Sequence, residues 1–177
     1  MQRVVNIEPT PNPDALKFVV GSPLLTGGAR SFRDFASSVG DPLASSLFAL
    51  GGVSSVFYMD GFVTVNKASE AEWTDLIDPV CEAIEDTMPG RGGDVCGVAP
   101  GGDGRLQKIM EAIDGRIRPG LAGDGGGLEV VSFDGATLTI AYQGACGSCP
   151  AAATGTLQFI EGLLRSEVDP GIRVTVI

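Results

Sequence analysis

The chain has 177 residues, 44% hydrophobic and 19% charged, with a formal net charge of −10 and no histidine. That length suits one medium domain or two small ones, and the composition is ordinary for a globular protein. The charge disfavours a polyphosphate partner and no apolar run is long enough to span a bilayer, while the missing histidine excludes a Ser-His-Asp triad, a Cys-His nucleophile and any His-ligated metal.

The first residues, "MQRVVNIEPTPNPD", lack an extended apolar h-region and are not rich in Arg and Ser. Neither a signal peptide nor a transit peptide is expected, which points to a cytoplasmic protein and also suits a trimmed mitochondrial form. "VVNIE" and "ALKFVV" read as strands, separated by a loop that three prolines in five residues (Pro9, Pro11, Pro13) keep stiff. A helix is expected from Asp41 as N-cap and Pro42 at the first helical position, with Leu43, Leu47 and Leu50 on one face. "VSSVFYM" and "FVTVN" flank Asp60-Gly61, the signature of a hairpin closed by a type I′ turn. Ser69 and Glu72 have capping-box spacing ahead of an apolar stripe of Trp73, Leu76, Ile77, Val80 and Ile84, which Pro79 is expected to kink or split. Strands and helices around one core make residues 1–88 a small α+β domain.

Seven of the fifteen residues from Gly90 to Gly104 are glycine, so residues 89–104 read as a flexible linker. In residues 105–177, Leu106, Ile109, Met110, Ile113 and Ile117 mark an amphipathic helix that Pro119 is expected to end. "LEVVSF" and "TLTIAY" form a second hairpin around Asp134-Gly135. Pro150 can open a helix with Leu157, Ile160, Leu163 and Leu164 on one face, and "IRVTVI" supplies a third strand. The expected domain is a three-stranded sheet with two helices on one face, in the order α-β-β-α-β.

Between the second hairpin and its helix lies "QGACGSCPAAATG", which holds two of the four cysteines, Cys146 and Cys149. A cysteine at a helix start is biased toward thiolate, the form that binds metal or attacks a disulfide. A lone cysteine is usually a small buried hydrophobe, but a close pair in a glycine-rich loop favours a function. With no histidine, an iron–sulfur cluster or a closed zinc site needs four thiolates. Cys81, near an apolar helical stripe, reads as packing, and Cys96 lies in the linker with no partner in sequence. Two chains sharing one cluster through a two-fold axis is the simplest arithmetic, and an exposed cluster held in that way suits a carrier. A thiol–disulfide oxidoreductase using the same Cys-x-x-Cys, and a zinc site shared between chains, are the alternatives. No catalytic constellation is present, so a non-enzymatic role is expected. "GDGGG" at Gly123 to Gly127 precedes a strand and has no P-loop lysine, so it reads as a helix-to-strand turn. Arg116 and Arg118 read as cations at a helix C-terminus, with a weaker role in balancing cluster charge.

Ile117-Arg118-Pro119, Asp124-Gly125-Gly126, Gly144 and Cys146-x-x-Cys149-Pro150 give the second half a sequence that resembles the NifU-like C-terminal domain of Nfu iron–sulfur scaffold and carrier proteins. "TPNPDALKF", "LFALGGVSSVF" and "VTVNK" give the first half a similar resemblance to the Nfu N-terminal domain. The resemblance implies that Cys146 and Cys149 ligate a cluster, usually [4Fe-4S] and otherwise [2Fe-2S], shared between two protomers. It further implies receipt of the cluster from an upstream assembly scaffold and delivery to apo iron–sulfur client proteins, with no nucleic-acid or membrane partner. Gly127 and Ala151-Ala152 depart from the family pattern at positions that supply no ligand.

Overall fold

β-branched and aromatic runs in the first half pair into one antiparallel sheet. The computed structural model describes residues 4–25, 28–87, 104–147 and 155–177, which fall into two compact units, Met1–Cys96 and Gly97–Ile177. In the first unit the elements are β1 (Val4–Pro9), β2 (Ala15–Val20), β3 (Ala29–Phe32), α1 (Pro42–Ala49), β4 (Val53–Met59), β5 (Phe62–Lys67) and α2 (Trp73–Asp86). The sheet order is β1-β2-β5-β4-β3. Phe18, Val56, Tyr58, Val63 and Val65 point from it into a core shared with Leu43 and Leu47 of α1 and with Leu76, Val80 and Ile84 of α2. Leu50, expected on the buried face of α1, is instead an exposed residue at its C-cap.

Asp41 organises this unit. It is 2% exposed. Its Oδ1 accepts from the Ala44 N–H at 3.0 Å, capping α1, and its Oδ2 accepts from Arg30 at 2.7 Å and from the Tyr58 hydroxyl at 2.5 Å. Burial and then the Asp41 charge hold the Tyr58 hydroxyl protonated far above the usual tyrosine range. β3 was not evident in the sequence because "ARSF" has no hydrophobic alternation. Side chains recruit it: Arg30 reaches Asp41, and Phe32 stacks on Tyr58 with ring centroids 5.9 Å apart.

Two sequence expectations fail here for local reasons, as does the splitting of α2 at Pro79. The hairpin forms at Asp60-Gly61, joining Met59 to Phe62, but neither turn residue has a positive φ, so the turn is not type I′. Both turn carbonyls are claimed by the end of β2 and the chain that follows it, through Val20 N–H to Gly61 at 3.0 Å and Leu24 N–H to Asp60 at 2.7 Å. The capping box does not form. Ala71 N–H closes a turn on Ala68 at 3.0 Å, so α2 starts only at Trp73, with Glu72 as an N-cap whose side chain makes no capping bond. Nor does Pro79 split α2, which runs from Trp73 to Asp86 with Leu76, Val80 and Ile84 buried on both sides of the proline.

The second unit comprises α3 (Gly104–Ala112), a π-helical turn (Ile113–Ile117), α4 (Arg118–Gly123), β6 (Gly126–Phe133), β7 (Thr137–Gly144), α5 (Leu157–Glu167) and β8 (Arg173–Val176). Most of the expected glycine linker lies outside the described residues, and Gly104 begins α3. Pro119 does not end the helical run. It sits in the first turn of α4, where its missing N–H costs nothing, after a π turn in which the Arg118 N–H reaches back to the Ile113 carbonyl. β6 and β7 are antiparallel, and β8 adds parallel to β7. Asp134 shapes the hairpin loop by accepting from the Ala136 and Thr137 N–H groups at 3.0 and 2.7 Å. The Thr137 and Ala136 bonds hold its carboxylate below the usual range, and Gly135 supplies a φ of 94°. Leu128, Val130, Leu138, Ile140 and Tyr142 form one sheet face, packed against Ile109, Ile113 and Ile117 of the helical run and Ile160 and Leu164 of α5.

Breaking a buried charge pair by removing one partner costs about 3–5 kcal/mol, against about 1 kcal/mol for an ordinary lost N-cap. Asp41→Ala should therefore cost the first unit about 3 kcal/mol or more in urea unfolding, because Arg30 and Tyr58 lose their acceptor together with α1. A loss of about 1 kcal/mol would show that capping is the whole of its contribution.

Candidate functional site

The site is built where the two ends of the second hairpin meet. After α4 the chain turns through Asp124 and Gly125, and Gly125 adopts a φ of 73° that a side chain would strain. β6 then begins at Gly126, paired with Gly144 at the end of β7. Gly144 has a φ of 63°, which turns the chain back over the sheet. The return is pinned by Ala145 N–H to Gly125 at 3.2 Å and Gly147 N–H to Gly144 at 3.1 Å.

Cys146 is thereby folded down onto Gly126. A Cβ at Gly126 would collide with Cys146 Sγ and lie 3.0 Å from Cys146 Cβ and 3.1 Å from its backbone nitrogen. The sulfur thus fills the side-chain space that Gly126 leaves empty. Cys146 is 8% exposed and belongs to the core of this unit. Gly147 is also tight, since a Cβ there would come within 3.3 Å of the Tyr142 carbonyl oxygen.

Tyr142 is the next residue on the same face. Its register partner is Leu128, one pleat repeat along β6 from Gly126, and it shares the core cluster with Cys146. Its hydroxyl oxygen is buried with no hydrogen-bond partner among the described residues. Burial, and then the negative charge that Cys146 would carry as a thiolate, push that hydroxyl up to about 12. On the opposite sheet face Gln143 donates to Glu129 at 3.1 Å. This bond ties β7 to β6 just before the cysteine loop.

Of the two expected ligands, the structure describes Cys146. Cys149 and the helix-opening Pro150 lie outside the described residues, as do Ala151, Ala152 and Cys96. The helical run that includes α5 is described back to Gly155, the expected helix opening at Pro150 lies outside the described residues, and the glycine cradle positions Cys146. Cys81 packs half-buried on α2 against the core of the first unit, and burial, then Glu85 and Asp78, raise its thiol above the usual value. Arg116 and Arg118 lie within the helical run and not at its C-terminus, because Pro119 does not stop the helix. Arg116 pairs with Glu167 at 3.2 Å, and Arg118 Nε meets Asp114 at 2.7 Å as an ion pair without hydrogen-bond alignment. Among the described residues no group of three or more Cys, Asp or Glu is placed to hold a metal, so one chain's described donors do not complete a metal site. Sequence reasoning gives no site role to Gly126, a turn residue and landmark of the resemblance, or to Tyr142, one more strand residue.

A two-domain α+β chain with a cysteine loop folded onto its hairpin is thus defined on structural grounds. Residues 5–90 match the family model described as scaffold protein Nfu/NifU N terminal, and residues 109–175 match the NifU-like domain. NifU-like protein 5, mitochondrial, from Arabidopsis thaliana is 31% identical over 179 residues, covering 93% of this chain and 64% of the relative. The NFU1 iron-sulfur cluster scaffold homolog, mitochondrial, from Homo sapiens is 31% identical over 169 residues, covering 91% of this chain and 66% of the relative. NifU-like protein 4, mitochondrial, from Arabidopsis thaliana is 29% identical, covering 93% of this chain and 62% of the relative. The chain spans less than two thirds of the length of these relatives, and it belongs to the Nfu/NifU-like family.

Overpacking by one methyl group costs about 1–3 kcal/mol. Gly126→Ala should lower the stability of the second unit by that amount and force Cys146 out of its cradle, so that maleimide labels it faster in peptide-mapped mass spectrometry. Unchanged melting together with unchanged labelling would show that the cradle is not tight.

Proposed function

We propose that the chain is an iron–sulfur cluster scaffold and carrier. Two protomers hold one cluster, [4Fe-4S] in preference to [2Fe-2S], through Cys146 and Cys149 of each, and pass it to apo-proteins. The observation that carries this reading is the seating of Cys146 Sγ in the glycine cradle of a family whose relatives are named iron-sulfur cluster scaffolds. The donor chemistry fits. Sulfur is the ligand of iron–sulfur clusters, the chain has no histidine to divert the site toward nitrogen ligation, and a cluster needing four thiolates exceeds what one such loop supplies. A two-fold axis presents the same loop twice and completes the set.

In this reading Cys146 is the anchored ligand and Cys149 the second. Delivery is ligand exchange, in which client thiolates replace the carrier's thiolates on iron and no bond order or oxidation state in the protein changes. Residues 105–177 form the cluster-binding domain. Residues 1–88 form a domain without cluster ligands that contributes to the choice of client, and residues 89–104 join the two. An upstream assembly scaffold supplies the cargo. The protein is not an enzyme on this account. The three relatives named above carry mitochondrial names, which supports an organellar setting over the cytoplasmic one.

Anaerobic reconstitution with ferrous iron and sulfide tests this reading. Wild type should become brown and retain half a cluster per chain after desalting. Cys146→Ala and Cys149→Ala should each lose that iron and colour. Full loading of both variants would overturn the ligand assignment. A colourless monomer that reduces disulfide substrates would replace the carrier with a thiol–disulfide oxidoreductase.

A further inference from the structure

On the hairpin face that looks into the core, Leu128, Val130, Leu138 and Ile140 are aliphatic, and Tyr142 is the fifth residue beside these four. The fifth, Tyr142, brings a hydroxyl into that layer. Burying a hydroxyl without a partner costs stability, and a phenylalanine or leucine would fill the same space without the cost. The chain has two tyrosines, and the other one shows what a structural hydroxyl looks like, since Tyr58 donates to Asp41 at 2.5 Å. Tyr142 is 7% exposed and its hydroxyl has no such acceptor among the described residues. It lies one pleat repeat from the point where Cys146 Sγ rests on Gly126. An uncharged thiol is a weak acceptor, whereas a thiolate or a sulfide bound to iron is an anionic one.

We propose that the Tyr142 hydroxyl is a hydrogen-bond donor held in reserve for the anionic sulfur that assembles at Cys146 when a cluster is loaded, which makes Tyr142 a positioning residue for the cargo. The inference rests on the carrier reading and adds a determinant of how tightly the cargo is kept. Donation to cluster or cysteine sulfur withdraws electron density from it, which stabilises the reduced cluster and raises its potential. The same bond slows loss of the cluster, so the hydroxyl trades stability of the empty protein for retention of the loaded one.

Tyr142→Phe in the full chain separates this role from a structural one. Without cluster, the variant should melt at the wild-type temperature or above it, since it loses a buried group that bonds to nothing. Loaded, it should surrender its cluster to a chelator about tenfold faster, the scale of one hydrogen bond to a charged acceptor, and show a lower midpoint potential. The iron–sulfur stretches in resonance Raman spectra should shift between H2O and D2O less than those of wild type. A lower melting temperature for the cluster-free variant, with an unchanged loss rate and potential, would make the hydroxyl structural and overturn the proposal. Unchanged values throughout would overturn it equally. Failure of wild type itself to take up a cluster would remove the carrier reading and this inference together, and that failure is recognised because it precedes any difference between the two proteins.

Discussion

The sulfur of Cys146 occupies the volume that a side chain at Gly126 would need, and the arrangement of the second unit follows from that exchange. A cysteine in an exposed loop would be free to wander. Here the thiol is one of the core residues, held by a β6–β7 pair whose ends are both glycine. The positive φ values of Gly125 and Gly144 bring the chain in and out of the pair. The bond from Ala145 N–H to Gly125 closes the two ends on each other. Under the proposed function, burying the thiol in this way would limit its loss of freedom on binding, because its position is fixed before any cargo arrives.

The first unit uses a different device. Its buried polar centre is Asp41, whose two oxygens cap a helix, pair with an arginine from an edge strand and accept from a core tyrosine. Each of those groups would be costly to bury alone, and together they satisfy one another. This network is complete, whereas the polar group at the second unit's site, the Tyr142 hydroxyl, has no described partner. The satisfied network around Asp41 helps fix the fold of the first unit, and the unsatisfied Tyr142 hydroxyl in the core cluster of Cys146 is the observation behind its proposed role as a reserve donor.

Much of this was legible in the sequence, and the failures have physical causes. Both hairpins, the Asp41-Pro42 helix start and the two-domain α+β organisation follow from short-range chemistry and are present. What failed depended on contacts between distant residues or on local turns that hydrophobic periodicity does not show. β3 exists because Arg30 and Phe32 meet Asp41 and Tyr58, and α2 starts late because Ala68 to Ala71 make their own turn. Pro119 is absorbed by the preceding π turn. The site turns on a bulge at Val131, where the pairing shifts between Val130 and Ser132. With an unbroken ladder from Phe133, the core face would carry Val131, Glu129 and Gly127. The extra residue places Val130, Leu128 and Gly126 there instead. Hydrophobic periodicity does not show such a shift, so the sequence does not reveal Gly126 and Tyr142 as neighbours of Cys146.

The central claim is that one loop supplies half of a metal site and that a second copy of the chain supplies the rest. Native mass spectrometry of the anaerobically loaded, full-length protein measures this directly. The account predicts that the cluster travels with two chains and that its removal returns single chains or a metal-free dimer. A single chain that retains an intact cluster would contradict the account, since the missing thiolates would then have to come from within the same chain.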